Sequence, residues 1–541
     1  MKSRMHVRSI ALVLSLSLLV ACTGDSPEET KQRKEEAVGE VDLVRLGCEV
    51  DPILLDRIWR GYDKERSEDI IMLPKFPNYS GTFAVPNHSG PWDYLQNVPL
   101  IFYGPGIIKP AGRLPGPASV VDIFPTMGEL TGVDLPERTG RALTEMIEPG
   151  APTPKLVILL VWDGVGRNVL ERWPDAWPTL GRLEREGTSY LDAVVGSSPS
   201  ITPATHSSMG TGLYPRAHGV TGIKYTLDSG EVGVAFQGRD ASVLDVATFG
   251  DLIDVELGNA PKVGLLGWRS WHMGMFSHGS ARPGGDKDVL ALFEEGNAIG
   301  GNDEFYRTPD YLREAPGLEE AVDELDRSDG EVDGKWMSHD ILEMHDNPAW
   351  SNFQSGVLLS LISGEGFGAD EVPDLLSINY KMSDIVGHQY TMDSPEMEAT
   401  VRSQDDGLAR LIELLDETVG DYVIAMTADH GHTPSPQRTG AWAIANGQLK
   451  EDIDAFFETP SGKSLVKDTS AVGIFFDEEV GAEMGVTMED VARFVLTYTI
   501  EENHDGEELP EEYRDRADER VFEAAFPGSR LAEILECAGR N

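Results

Sequence analysis

Long apolar runs constrain the fold of this chain more than any other feature. Segments such as "KLVILLVWDG", "DLLSINYK" and "YVIAMTADHG" are apolar over consecutive residues and lack the alternation of a half-exposed strand. Continuous runs of this length are typical of strands buried on both faces, as in a parallel sheet covered by helices. We therefore predict an α/β fold with a doubly wound, mostly parallel sheet flanked by helices.

Charge restricts the class of partner. The 541 residues include 92 acidic and 45 basic side chains, which gives a formal net charge of −47. Such a surface repels a phosphate backbone, so we expect no binding of nucleic-acid polymers. A small anionic substrate would need concentrated local positive charge, and bound metal ions are one way to supply it.

The N-terminus predicts export. A basic start, "MKSRMHVRS", precedes the apolar stretch "IALVLSLSLLVA", so residues 1–21 are predicted to be a signal peptide. The following "LVAC" resembles a bacterial lipoprotein signal and would make Cys22 the lipid-carrying anchor to the membrane, on the periplasmic or extracellular face. A plain secretory signal and a membrane anchor remain alternatives. Residues 22–45 are charged and poor in apolar side chains, which predicts a flexible acidic tether.

Three of the apolar runs end in residues that could bind a metal. These are Asp163 after the first run, Asp384 with His388 after the second, and Asp429 with His430 after the third. The carboxyl ends of parallel strands lie at one edge of a sheet, so these side chains can converge. Each pair alone would be read as a capping Asp and a surface His. Three occurrences together favour a metal site.

A candidate nucleophile, Thr202, lies in "SPSITPATHSSMGTG". Pro203 follows it, and Pro is favoured in the first turn of a helix. The Thr202 hydroxyl would then lie at a helix N-terminus, where free N–H groups attract phosphate. A threonine hydroxyl is a weak nucleophile unless a metal or a base assists it. Without the metal candidates, Thr202 would be read as a cap.

Together, "VWDGVG", "ITPATHSSMGTGLYPRAHGV", "SDIVGH" and "TADHGH" resemble the alkaline phosphatase superfamily. The similarity is greatest to its nucleotide pyrophosphatase/type I phosphodiesterase branch. The resemblance implies a doubly wound α/β fold with two metal ions, usually zinc. By position, the first metal would be held by Asp163, Asp429 and His430 with Thr202, and the second by Asp384 and His388.

The second metal still needs a third ligand, which in this family is a histidine near the C-terminal end. His504 has no strand after it, whereas His88 lies in "NHSGPWDYLQNVPLIFYGPGI", which resembles the family's late histidine segment. We therefore predict a circular permutant. Its parts are the permuted closing segment 46–147, the linker 148–154, and the remaining catalytic domain 155–541 with an inserted cap at about 223–350. The alternative is a separate small domain over residues 50–145.

A permutation of this kind would bring the new chain ends together. Cys48 and Cys537 lie near those ends and could form a disulfide in an oxidising compartment. The alternative is two unpaired thiols.

These features predict an exported, metal-dependent hydrolase of small phosphoesters that acts through a phospho-threonine intermediate. A phosphodiesterase or nucleotide pyrophosphatase is favoured, because few basic residues surround the nucleophile to bind a doubly charged phosphate. A monoesterase, a phosphonate hydrolase and a non-enzymatic phosphate- or metal-binding lipoprotein are the alternatives.

Many relatives carry an asparagine where this chain has Ile223, so the usual contact to a phosphate oxygen is in doubt and other residues are candidates to contact substrate. The candidates are Lys224, His272, His278 and Lys381.

Overall fold

A computed structural model describes residues 27–236, 243–244, 246–268, 274–293, 299–314, 316–341, 347–504 and 508–539. Within these ranges, no helix is both long enough and apolar enough to cross a membrane. The strands are β1 Ile70–Pro74, β2 Tyr79–Ser80, β3 Leu100–Tyr103, β4 Gly112–Ser119, β5 Leu156–Trp162, β6 Thr188–Val194, β7 Lys224–Thr226, β8 Val232–Val234, β9 Val263–Trp268, β10 Asp288–Phe293, β11 Ile299–Gly300, β12 Tyr306–Arg307, β13 Lys335–Trp336, β14 His339–Asp340, β15 Asp374–Tyr380, β16 Tyr422–Thr427, β17 Ala443–Ile444, β18 Val466–Thr469, β19 Gly473–Phe476 and β20 Phe522–Pro527.

The helices range from single turns to the long α14. They are α1 Pro27–Gly39, α2 Leu43–Cys48, α3 Pro52–Gly61, α4 Asp93–Gln96, α5 Ile123–Thr131, α6 Arg167–Arg172, α7 Pro178–Glu186, α8 Thr202–Thr211, α9 Pro215–His218, α10 Phe249–Glu256, α11 Leu318–Asp326, α12 Pro348–Glu365, α13 Met382–Tyr390, α14 Pro395–Thr418, α15 Pro436–Thr439, α16 Asn446–Phe456, α17 Glu478–Met484, α18 Met488–Leu496 and α19 Leu531–Cys537.

A ten-stranded sheet forms the centre of the molecule. Its order is β11-β10-β9-β15-β5-β16-β3-β6-β4, with β12 beside β10. The strands at its middle, β9, β15, β5 and β16, are parallel, whereas β3 runs antiparallel to both of its neighbours. The predicted mostly parallel α/β sheet is confirmed.

Burial on both faces explains why the apolar runs are continuous. All seven residues of β5 are buried, and successive side chains point to opposite faces. Leu156, Ile158 and Leu160 join a core with α7, α12 and α14, while Val157 and Leu159 join a core with α5, α8 and α10. Helices therefore cover both faces of the sheet.

The N-terminal part of the chain is built into this sheet. Ile101 of β3 lies opposite Met426 of β16 on one side and Ser189 of β6 on the other. Residues 50–145 are therefore not a separate small domain. Within the range 223–350, which was predicted to be an inserted cap, β9, β10 and β11 are strands of the central sheet.

A second, four-stranded sheet joins the two ends of the chain. Its order is β18-β19-β1-β20, so the early strand β1 lies between two strands from the C-terminal region. Val38 and Leu43 pack into its core, so the flexible tether predicted for residues 22–45 is wrong from Pro27 onward. Residues 22–26, including Cys22, lie outside the described residues, as does the predicted signal peptide.

Cys48 at the end of α2 and Cys537 at the end of α19 form a disulfide across 489 positions, with Cα atoms 5.7 Å apart. The predicted pairing of these cysteines is confirmed.

Candidate active site

Three neighbouring strands deliver the polar side chains of the site. Asp163 directly follows β5, Lys381 directly follows β15, and Asp429 lies two residues after β16. Because β15, β5 and β16 are adjacent and parallel, their carboxyl ends open at the same edge of the sheet. All three side chains are buried.

One group of side chains surrounds Asp384, which lies in the first turn of α13. Its Oδ1 atom is 3.0 Å from His88 Nε2, 3.3 Å from His432 Nε2 and 3.4 Å from His388 Nε2. His388 lies one turn along the same helix, whereas His88 comes from the loop before α4. The structure thus brings together the three residues predicted for the second metal.

The far ring nitrogens of two of these histidines contact backbone carbonyl groups. His388 Nδ1 lies 2.9 Å from the Pro86 oxygen, and His88 Nδ1 lies 3.4 Å from the Ser200 oxygen. An N–H donated to a carbonyl leaves Nε2 as the free acceptor, which is the usual arrangement of a metal-binding histidine. In both rings Nε2 faces Asp384.

The second group consists of Asp163, Asp429 and His206. One ligand atom from each lies within 4.8 Å of the others. His430 links the two groups, because its Nε2 atom is 3.2 Å from Asp429 Oδ2, 3.6 Å from Asp163 Oδ1 and 4.0 Å from Asp384 Oδ1.

Lys381 and Thr202 lie between these groups. The Lys381 ammonium is 2.9 Å from Asp163 Oδ1, 2.7 Å from Asp384 Oδ2 and 2.9 Å from Thr202 Oγ1. Thr202 is the first residue of α8, and Pro203 follows it. The hydroxyl is therefore held by a buried cation at a helix N-terminus.

The carboxylates of the site differ in their protonation chemistry. Burial, and then the negative charge of Asp429, raise the pKa of Asp163 to about 8. Burial alone would also raise the pKa of Asp384, but Lys381 and the nearby histidines hold it well below its ordinary value. Burial lowers the pKa of His206 and of His432 to about 4. Both imidazoles are therefore neutral near pH 7, as a metal ligand must be.

The donor set fits divalent metal ions. Within the described part of the chain, several buried atoms of this cluster make no hydrogen bond, namely Asp384 Oδ1, Asp429 Oδ2, His430 Nε2 and both ring nitrogens of His432. Native proteins rarely leave so many buried polar atoms without a partner in one place. Imidazole nitrogens mixed with carboxylate oxygens are the ligands that suit zinc.

Two other predicted substrate contacts, Lys224 and His278, pair with side chains that belong to neither group of the candidate site. Lys224 Nζ lies 2.7 Å from Asp468 Oδ2, beside the second sheet. His278 uses both ring nitrogens elsewhere, with Nδ1 2.6 Å from Asp251 Oδ2 and Nε2 2.8 Å from the Leu244 oxygen. Both side chains thus already have partners, and their roles as substrate contacts stay predictions. His272 lies outside the described residues.

Sequence reasoning missed His432 and His206. His432 follows His430 at a His-x-His spacing in "TADHGH", and this spacing was the available signal. His206 lies one turn after Thr202 on α8, and its Nε2 atom lies 2.9 Å from Asn379 Nδ2. Asn379 also donates to Asp163 Oδ2 at 2.8 Å. Asn379 thus links His206 to Asp163, the carboxylate that follows β5.

This fold and site define an α/β protein with clusters of candidate metal ligands at the carboxyl ends of its parallel strands. A family model described as type I phosphodiesterase / nucleotide pyrophosphatase matches residues 157–524, which is more than half of the chain. The chain belongs to this family.

Similar proteins include several that are named alkaline phosphatases. PafA of Elizabethkingia meningoseptica is 29% identical over 143 residues, which cover 25% of this chain and 26% of that protein. PhoD of Zymomonas mobilis is 32% identical over 101 residues, covering 19% and 18%. A protein of Myroides odoratus named calcium-transporting ATPase is 22% identical over 408 residues, covering 65% and 70%. The match thus spans about a quarter or less of the first two relatives.

The crystal structure of wild-type PafA has the same fold. It superposes with a TM-score of 0.51 at 17% identity and covers 67% of this chain and 79% of that one.

Proposed function

We propose that this protein is a metal-dependent hydrolase of small phosphodiesters that acts through a phospho-threonine at Thr202. One observation carries the proposal. The Thr202 hydroxyl lies at the start of α8, 2.9 Å from the Lys381 ammonium, beside a buried ring of carboxylates and imidazoles. Membership of the phosphodiesterase family supports the same chemistry.

Two divalent metals, zinc by the chemistry of the donors, would be held here. Asp163, Asp429 and His430 with Thr202 would hold one, and Asp384, His388 and His88 the other. Such ions lower the pKa of hydroxyl groups and neutralise charge on a phosphoryl group.

The residues of the chain account for the rest of the reaction. The Lys381 ammonium favours the deprotonated Thr202 oxygen, which attacks phosphorus while the leaving oxygen departs with its electron pair. The N-terminus of α8 directs free N–H groups and the positive end of its dipole toward the phosphoryl group. Water then breaks the new oxygen–phosphorus bond. Two in-line displacements give overall retention at phosphorus.

A phosphomonoesterase is the second candidate, and Lys381 is the observation that favours it. A terminal phosphate carries two negative charges, and Lys381 supplies a buried positive charge within hydrogen-bonding distance of the nucleophile. Diesters were favoured because few basic residues surround Thr202 in the sequence. The structure places one basic side chain, Lys381, directly beside its hydroxyl. The names of the alkaline phosphatase relatives also support this candidate.

A substrate panel separates the two candidates. Zinc-loaded protein would be assayed on aryl phosphate diesters, monoesters, phosphonates and sulfates in parallel. The proposal expects the highest kcat/KM on diesters, whereas the highest value on monoesters would establish the second candidate.

Replacement of the nucleophile tests the mechanism. Thr202→Ala should abolish turnover and leave the zinc content close to that of the wild type. Thr205→Ala, in the same buried helix, is the matched control and should remain active. Full turnover by Thr202→Ala would exclude a phospho-threonine.

We also propose that residues 46–147 are the family's closing segment, joined through 148–154 to the rest of the catalytic domain at 155–541. The family match begins at residue 157, and His88 lies against Asp384. Both observations support this reading.

Export with a lipid on Cys22 is a further part of the proposal, supported by the sequence of residues 1–21. Cys22→Ser should move the protein from the membrane fraction to the soluble fraction of a bacterial host. Unchanged membrane association would contradict the lipid anchor.

A further inference from the structure

A second cluster of carboxylates lies apart from the residues of the candidate active site. Asp254 belongs to α10, Asp288 is the first residue of β10, and Asp286 lies in the loop just before that strand. One oxygen from each side chain lies within 4.8 Å of the other two. Three negative charges are thus brought together by two different elements.

Two of these carboxylates are deeply buried. Asp254 and Asp288 are each 3% exposed, whereas Asp286 is exposed. Asp254 Oδ1 makes no hydrogen bond with any of the described residues. A buried charged oxygen without a partner is costly, and such atoms in native proteins commonly mark an ion or a water.

His278, which lies beside this cluster, already pairs with a different carboxylate. His278 Nδ1 lies 2.6 Å from Asp251 Oδ2, and this contact raises the pKa of His278 although burial opposes it. The Ser277 hydroxyl donates to Asp288 but carries no charge. No Lys, Arg or His in the described ranges forms an ion pair with Asp254, Asp286 or Asp288, so none of the described basic side chains neutralises the cluster.

The protonation behaviour agrees with missing positive charge. Burial, and then the charge of Asp286, raise the pKa of Asp254 to about 6. Burial also raises the pKa of Asp288 well above its ordinary value.

We propose that Asp254, Asp286 and Asp288 form a structural Ca²⁺ site that is distinct from the proposed zinc centre. All three ligands are oxygens, which suit a hard cation and contrast with the imidazole-rich active site. Ca²⁺ accepts six to eight oxygens in flexible geometry, and the exposed side at Asp286 lets water complete the shell. Mg²⁺ demands stricter octahedral geometry, which a helix side chain and two side chains from a neighbouring loop and strand meet less readily.

The position of the cluster gives the cation a structural role. It would fix α10 to β10 beside the segment 275–278. The Phe276 oxygen of that segment accepts a hydrogen bond from Thr248 Oγ1 at 2.7 Å. The same segment packs against α8, because a Cβ on Gly210 would meet the Met275 oxygen at 1.8 Å. The Ca²⁺ site would therefore support the helix that carries Thr202.

Calcium binding to single Asp→Asn variants tests the proposal. Isothermal titration with Ca²⁺ would be carried out on the zinc-loaded full chain. The wild type should bind one Ca²⁺ and show a higher Tm in its presence. Asp286→Asn, in an exposed position that leaves the fold intact, should weaken binding at least about tenfold, and Asp288→Asn should abolish it. Asp310→Asn, at a fully exposed side chain, is the matched control and should bind like the wild type.

Several outcomes would overturn the proposal. These are no Ca²⁺ binding by the wild type, equal affinity in Asp286→Asn and the wild type, and equal affinity for Mg²⁺ and Ca²⁺. None of these measurements depends on hydrolysis, so the result stands apart from the proposed enzymatic function.

Discussion

His88 gains its importance from its surroundings. Its ring is stacked on His430 with centroids 3.5 Å apart, and its Nε2 atom is 3.0 Å from Asp384. His504 instead lies in a turn beside Asn503, whose side-chain oxygen accepts hydrogen bonds from Trp442 Nε1 and from the Ala445 backbone N–H. The choice between these two histidines follows from what each one contacts.

In the proposed two-metal site, replacement of His88 should remove a ligand from the second metal. We expect His88→Ala to lower the zinc content by about one ion per chain and to reduce hydrolysis by about 100-fold or more. Replacing a residue that only hydrogen-bonds to a metal ligand already lowers metal affinity or activity by about 10–100-fold. Metal analysis of dialysed protein and initial rates would measure both effects. His504→Ala is the matched control. A full zinc complement in His88→Ala would contradict the assignment and the permutation with it.

The strand-end residues could be predicted from sequence, because an apolar run that is followed by Asp or His indicates both a buried strand and a candidate metal ligand at its end. The contacts that the sequence did not show depend on tertiary placement. Lys381 precedes an ordinary helix, and only the close approach of β15, β5 and α8 shows that its ammonium contacts Asp163 and Thr202. Lys224 and His278 were expected near substrate, and their pairing with Asp468 and Asp251 could not be foreseen because those partners are distant in sequence.

At the scale of elements, Glu184 connects four parts of the structure. It lies on α7 with 1% of its side chain exposed, 2.6 Å from Arg167, the first residue of α6, and 2.6 Å from Arg113 on β4. The Ser189 hydroxyl of β6 donates to it at 3.2 Å. Burial would raise the pKa of Glu184, but the two arginines hold it below its ordinary value of 4.5. The two ion pairs of Glu184 thus join strand β4 to helices α6 and α7.

Loss of this charge should destabilise the sheet edge. We expect Glu184→Gln to lower the free energy of unfolding by about 2–3 kcal/mol, because Arg167 is left partly buried without its partner while Arg113 remains half exposed. Chemical denaturation at pH 7 would measure the change. Glu186→Gln, on the exposed side of the same helix, should be nearly neutral.

The lowered pKa also fixes the sign of the pH dependence. The stabilisation by Glu184 is present above pH 4.5 and is lost as the pH falls through the lower folded value. The difference between the wild type and Glu184→Gln should therefore shrink on acidification. A constant difference down to pH 3 would contradict this account.

At the scale of the whole molecule, the mostly parallel sheet was predictable and the second sheet was not. Parallel strands buried on both faces leave continuous apolar runs, whereas β1, β18 and β20 are short strands that come from opposite ends of the chain. No pattern within a short stretch of sequence predicts that strands so far apart in the chain will pair. The Gly-, Trp- and Met-rich composition of 223–350 suggested a cap, yet β9 and β10 within it are buried strands of the central sheet.

The disulfide between the chain ends should contribute measurably to stability. Replacement of both Cys48 and Cys537 by Ser should lower the free energy of unfolding by about 2–4 kcal/mol, because the bond restricts the unfolded chain over 489 positions. Denaturant midpoints of the wild type and the double variant would measure the loss. Peptide mapping without reduction should recover the linked peptides, and quantitative alkylation of both thiols in native protein would refute the bond.

The placement of β3 determines the order in which this protein can fold. β3 is complete at Tyr103, but its partner β16 begins only at Tyr422, so the ribosome must add more than 300 residues before the two can pair. Its other neighbour, β6, is complete at Val194, so until β16 emerges only one edge of β3 can pair and the central sheet cannot close. Efficient production therefore depends on keeping the nascent chain from aggregating until its last third has emerged.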